Sequence, residues 1–128
     1  MKFTAENLCE LNVTLAKVIA EGLKKYKQMN RDTYPPFIGG EYVGENCEKE
    51  EEFVAKWEDI LDQMIWSFDQ IANDCQDSPI NQSMEAARDA NRSVYDLSDA
   101  LLQKHMEYKS RIQMGLDLFA KYFENLMN

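Results

Sequence analysis

One histidine, three prolines, five glycines and three cysteines in 128 residues leave several classes of protein without their raw material. Cys9, Cys47 and Cys75 are odd in number, far apart and without a C-x-x-C pair, which argues against a disulfide framework or a structural zinc site and fits a reducing compartment. With His105 alone, a histidine-based metal site is poorly supplied, and a serine or cysteine nucleophile has only one candidate histidine to activate it. No G-x-x-x-x-G-K, G-x-S-x-G or H-E-x-x-H occurs, so no catalytic residue, metal ligand or cofactor is assigned. No apolar run approaches the ~20 residues of a membrane span, and Glu6 and Glu10 interrupt the stretch where a signal peptide needs apolar residues. A cytoplasmic protein with no membrane association is the expectation. Sparse proline, glycine and β-branched residues leave helix as the default structure.

What the chain has in excess is negative charge. The net charge is -9. Glu41 to Asp62 holds nine acidic residues against Lys49 and Lys56, so a net of seven negative charges falls in that one segment. Such a surface repels phosphate backbones, and direct nucleic-acid binding is disfavoured. Lys24, Lys25, Lys27 and Arg31 form the one basic cluster, whose simplest role is to face the negative end of a helix dipole.

The apolar residues are spaced for three long helices. In residues 5 to 30, Leu8, Leu11, Leu15, Val18, Ile19, Gly22, Leu23, Tyr26 and Met29 recur at steps of 3 and 4, which predicts one core-facing stripe, with Thr4 as the N-cap. "RDTYPPFIGGEYVGEN" then breaks the pattern, giving an aromatic Pro/Gly loop in which Tyr34, Phe37 and Tyr42 should pack back over the helices. A second helix is predicted from about Lys49 to Asn73, and "CQDSPINQS" ends it, with Pro79 as the breaker. From about Met84 the chain can be helical to its end: Val94, Leu97, Leu101, His105, Tyr108, Ile112, Gly115, Phe119, Tyr122 and Leu126 follow one another at 3 or 4. Residues 80 to 93 either extend this helix or form a short one of their own. The expected fold is a single all-α domain over residues 1 to 128, an antiparallel bundle of three long helices closed within the chain or with a second copy as a homodimer.

Within "WEDILDQMIWSFDQI" the helical period separates two walls. Trp57, Ile60, Leu61, Met64, Ile65, Phe68, Ile71 and Ala72 fall in an arc of roughly 140° at ~100° per residue, a core face. Trp66 falls on the opposite, polar side beside Asp62, Gln63, Asp69 and Gln70. An indole is too large an apolar surface to leave in water, so something should cover it. Either the Tyr34 to Tyr42 loop or a second protomer does so, or a ligand or partner stacks on Trp66 with Asp62, Gln63, Asp69 and Gln70 as a polar rim. Tyr34 and, if the third helix lies alongside, Arg111 and Lys121 complete this candidate binding site. His105, on the apolar seam of the third helix, reads as a core histidine.

An enzyme is the alternative. All-helical nucleotide pyrophosphatases hold magnesium with carboxylates at i and i+3, and Glu48 with Glu51, Asp59 with Asp62 and Asp96 with Asp99 have that spacing. With 23 acidic residues, such pairs also arise by chance, and these sit on polar faces.

"LNVTLAKVIAEGLKKYKQM", then "YPP", "KWEDILDQMIWSFDQI" and "YKSRIQMGLDLFAKYFENL" resemble, in that order, a set of small helical proteins encoded by tailed phages and prophages and generally described as uncharacterised. The resemblance spans about 60 of 128 residues, and this chain has Leu126 and Met127 where those proteins typically end in Leu-Trp. It implies a viral or prophage origin and action in the cytoplasm of a host bacterium, and it carries no catalytic residue over to this chain. The expected function is therefore that of an accessory protein binding a host factor or a small signalling ligand, in host takeover or anti-defence. A magnesium-dependent pyrophosphatase and a phage structural or assembly component are the alternatives.

Overall fold

The computed structural model describes residues 2–29, 35–38, 41–42, 50–91 and 98–126. Five helices carry it: α1 (Ala5–Cys9), α2 (Leu11–Met29), α3 (Glu50–Ala72), α4 (Pro79–Asp89) and α5 (Asp99–Tyr122), followed by a 3-10 turn over Phe123–Asn125. Between α2 and α3, β1 (Phe37–Ile38) and β2 (Glu41–Tyr42) form a two-rung antiparallel pairing, Phe37 opposite Tyr42 and Ile38 opposite Glu41. Ile38 is buried, and β1 packs on α3. Tyr34 and the side chains of Phe37 and Tyr42 lie outside the described residues. Among the described residues no helix is long and apolar enough to cross a membrane.

Local chemistry sets the helix ends. Thr4 caps α1 as expected: its hydroxyl accepts from the Asn7 amide at 3.2 Å, while the Asn7 side chain accepts from the Thr4 amide at 3.0 Å. The first helix is not continuous, because the backbone departs from helical geometry at Glu10 and begins again at Leu11. The second helix is stopped by backbone geometry before any proline. Asp74 and Cys75 both take left-handed conformations (φ 60° and 55°), and the Cys75 amide reaches back to the Gln70 carbonyl at 2.8 Å. Pro79, expected only to break a helix, opens α4 at its first position behind the Ser78 cap, where its missing N–H costs nothing. Residues 80 to 89 therefore belong to a separate helix, and the long third helix begins at Asp99. Val94 and Leu97 lie outside the described residues.

α3 is the central element, with α2 and α5 packed on it and α4 packed on α5. Lys24 meets Asp69 and Lys27 meets Asp62, so α2 and α3 run in opposite directions. Trp57 meets Tyr122 and Trp66 meets Tyr108, so α3 and α5 do as well. Phe53, Trp57, Leu61 and Met64 of α3 are essentially without exposed surface. Burying each contributes about 1.5–3 kcal/mol. At the α3–α5 crossing the backbones come close at Gly115. A β-carbon there would lie 1.9 Å from Ser67 Oγ and 2.6 Å from the Gln63 carbonyl, so the crossing depends on a residue without a side chain.

The apolar face of α2 differs from the expectation. Val13, Ala16, Ala20 and Leu23 are its buried residues. The stripe expected in the core is largely outside: Leu8 is 58% exposed, Leu11 39%, Leu15 41%, Val18 43% and Met29 66%. Both sets follow a 3-4 spacing, so periodicity alone does not choose between them. The small alanines sit against α3 because they let the backbones approach closely, and that choice turns the larger leucines outward.

Candidate functional site

α3 and α5 together answer what covers Trp66. The guanidinium of Arg111 lies over its ring, 3.7 Å from the centroid, and the edge of Tyr108 meets it at 5.7 Å with a 75° interplanar angle. The contact follows from the antiparallel docking of α5, which brings its Tyr108 to Arg111 turn beside the Trp66 to Gln70 turn of α3. The Tyr108 hydroxyl donates to Gln70 Oε1 at 2.7 Å, and Ser67 Oγ donates to the Arg111 carbonyl at 3.3 Å. His105 is tilted against Tyr108 at 6.2 Å, and its buried Nδ1 has no hydrogen-bond partner among the described residues. Burial, then hydrogen bonding and electrostatic interaction with Cys75, then the negative charge of Asp77 push the Tyr108 phenol well above its ordinary value. The phenol therefore stays neutral and serves as a fixed donor.

The other expected site residues are distributed differently. Asp62 and Asp69 do not rim the indole. They face α2, where Lys27 Nζ meets Asp62 at 2.6 Å and Lys24 Nζ meets Asp69 at 2.8 Å. Two of the cluster's lysines, read from sequence as partners of a helix dipole, thus tie two helices together. Gln63 donates to Asp59 along α3 at 2.8 Å. Lys121 lies over Tyr122, at a cleft of about 160 Å³ shared with Pro35, Pro36 and Asn125. Ten residues of helix, ~15 Å, separate it from Arg111. The site the fold assembles is Trp66, Gln70, Tyr108 and Arg111. Tyr108 was hidden in the sequence as one more member of an apolar stripe, and only the docking of α5 reveals its second role.

Arg111 is exposed, and among the described residues it makes no ion pair. A guanidinium laid flat on an indole retains its N–H edge, and the stacking removes rotational freedom that a free arginine would lose on binding. The arrangement can recognise a planar anionic group, a carboxylate or a phosphate, beside an aromatic surface. Among the described residues no three of histidine, cysteine, aspartate and glutamate converge as a metal site. Fold and site together define an all-helical protein with an aromatic-arginine surface cluster. No known protein family, curated protein or solved structure matches this chain.

Proposed function

We propose that this chain acts by binding rather than by catalysis, as an accessory protein of phage or prophage origin that engages a host protein or a small signalling ligand in the bacterial cytoplasm. In this reading the helices form a three-helix antiparallel bundle, with the aromatic loop between the first two, that presents the Trp66–Arg111 surface. A host-takeover or anti-defence role fits a small acidic protein of that origin. The observation that carries the reading is Arg111, exposed and stacked at 3.7 Å on the one tryptophan outside the core. Tryptophan and arginine are the residue types that most often dominate binding energy at interfaces.

Capture from host lysate, read by proteomics and by small-molecule mass spectrometry, tests it. Arg111→Ala should abolish capture while helical content persists, and Arg111→Lys should restore little, because an ammonium lacks the planar fork. Equal capture by Arg111→Ala and wild type would remove this surface from consideration. The pyrophosphatase alternative has less support, since Asp62 is held by Lys27 and Asp59 by Gln63. Release of pyrophosphate from a nucleotide panel with magnesium would revive it. A structural or assembly role would show as stoichiometric presence in purified particles.

A further inference from the structure

The side-chain groups that the Trp66 cluster leaves unused are all donors. Arg111 lies 3.7 Å above the indole centroid, which is van der Waals contact, so the guanidinium plane runs along the ring and its N–H edge stays free. Glu107, one turn before it on α5 and spaced for an i,i+4 pair, is turned instead to Gln103 at 3.3 Å, and Arg111 makes no ion pair among the described residues. Gln70 adds a second donor. It is 8% exposed, its Oε1 is taken by the Tyr108 hydroxyl, and its Nε2 has no hydrogen-bond partner among the described residues yet is not sealed from solvent. An amide pinned through its oxygen holds its N–H groups in a fixed direction. Trp66 and Gln70 are four residues apart on α3, so this donor stands ~6 Å along the helix from the one on the indole.

We infer that this surface binds a peptide carboxylate, with the carboxylate on Arg111 and a neighbouring amide carbonyl on Gln70 Nε2, a pairing offered by an acidic side chain or by the C terminus of a chain. The inference rests on the reading that Trp66 and Arg111 form a binding surface, and it commits that surface to one of the two anions a guanidinium can take. Geometry favours the carboxylate. An anion paired edge-on with a guanidinium that lies along the protein surface must lie along it too. A carboxylate is planar and shares that layer, whereas a phosphate held by two oxygens directs a third substituent toward the protein. Charge favours it as well. Asp62 and Asp69 already hold Lys27 and Lys24, and Lys104, the next cation on the Arg111 face of α5, stands two turns away, ~10 Å. One unpaired guanidinium in a chain of net charge -9 balances one negative charge and leaves the second charge of a phosphate monoester without a counter-ion. The carbonyl completes the match, because a surface that offers only donors fits a ligand edge made only of acceptors.

Nuclear magnetic resonance titrations of the nitrogen-labelled full chain at neutral pH and constant ionic strength test this. They are read at the Trp66 indole N–H, identified by its loss in Trp66→Phe, and at the Arg111 side-chain N–H. The probes are N-acetyl-Gly-Glu-Gly-amide, N-acetyl-Gly-Gly-Gly with a free C terminus, N-acetyl-Gly-Gln-Gly-amide, acetate, methyl phosphate and dimethyl phosphate. At least one carboxylate peptide should shift both signals saturably with a Kd of about 1–10 mM, and the difference between the two tells a side chain from a C terminus. The glutamine peptide and both phosphates should bind at least about tenfold more weakly, and Arg111→Lys should weaken the preferred peptide by about as much. Gln70→Met, at unchanged helical content, should weaken that peptide about fivefold and leave acetate, which has no neighbouring carbonyl, where it was. A merely loosened fold would weaken both. Equal binding of the glutamine peptide, tighter binding of either phosphate, or no shift with any carboxylate at ~50 mM overturns the inference. Equal loss of acetate and peptide in Gln70→Met overturns the part given to Gln70. If the titrations fail while lysate capture still depends on Arg111, the carboxylate is wrong and the binding surface stands; if capture is also indifferent to Arg111, both fall.

Discussion

The two faces of α3 are held by different chemistry. Toward α2 the contact is made of alanines and a leucine, closed at the rim by Lys24–Asp69 and Lys27–Asp62, pairs at least a third exposed on each side chain. Toward α5 it is made of aromatic pairs: Trp57 with Tyr122, Phe68 with Phe119 at 4.9 Å, Trp66 with Tyr108. The crossing itself is fixed by Gly115 against Ser67. Exposed ion pairs contribute ~0–1 kcal/mol and weaken with salt, whereas edge-to-face rings add ~0.5–1.5 kcal/mol each beyond their buried area and do not. The α5 side should therefore be the firmer of the two, and the α2 side the one that responds to solution conditions.

The strongest challenge to that contrast is Gly115→Ala. The added methyl cannot fit against Ser67 without separating α3 from α5, and despite the gain in helix propensity a net loss of about 1–3 kcal/mol is expected in urea unfolding. Ser67→Gly on the same chain should recover part of it. A neutral Gly115→Ala would mean the crossing is looser than described.

Alkaline titration probes the same side. Tyr108 has a folded-state pKa raised above that of the unfolded chain, so its contribution to stability is complete below about pH 10 and is lost as pH rises toward the folded value. Unfolding followed from pH 8 to 12 should show this decline, and Tyr108→Phe should flatten it. An unchanged decline in Tyr108→Phe would assign the effect to other groups.

A smaller change, with opposite sign, separates both interfaces from the helix end. Asp74→Gly relieves a left-handed residue in an exposed turn and should raise stability by about 0.5–1 kcal/mol without altering either helix contact. A drop in melting temperature would show that the Asp74 side chain supports the turn. Smallest of all, Lys24→Met with Lys27→Met should cost about 1 kcal/mol or less at low salt and nothing measurable at 1 M NaCl. A loss that persists at 1 M would make these lysines part of the packing.

What the sequence makes legible depends on how many faces a helix buries. α5 carries one apolar stripe, and Ile112, Gly115 and Tyr122 lie buried on it as the spacing predicts. α3 has one apolar arc, and the fully buried Trp57, Leu61 and Met64 come from it, but Ser67, just as buried, lies outside that arc at the crossing with α5. α2 has two 3-4 stripes, and a reading weighted by side-chain size selects the leucines over the alanines that α3 in fact covers. Trp66 is recognisable from sequence as a large residue on the wrong side. Of its neighbours, Gln70 follows from the helical period and Arg111 only on the condition that the third helix lies alongside, whereas Tyr108 is not legible, because the rotation of α5 about its own axis is set by the Gly115 crossing and is written in no local pattern. The same holds for Asp62 and Asp69: their place on the polar arc is periodic, but their attachment to Lys27 and Lys24 depends on which flank α2 occupies.

The Gly115–Ser67 crossing also fixes where this molecule can move. Two rods whose backbones come closest at one point, with looser side-chain contacts to either side, behave as scissors about it: displacement is least at the rivet and grows along the blades. Ser67 adjoins Trp66, and Arg111 stands one helical turn before Gly115. The arginine and indole thus sit at the rivet, where a swing of either rod displaces them least, whereas Trp57 and Tyr122 lie further out along the blades.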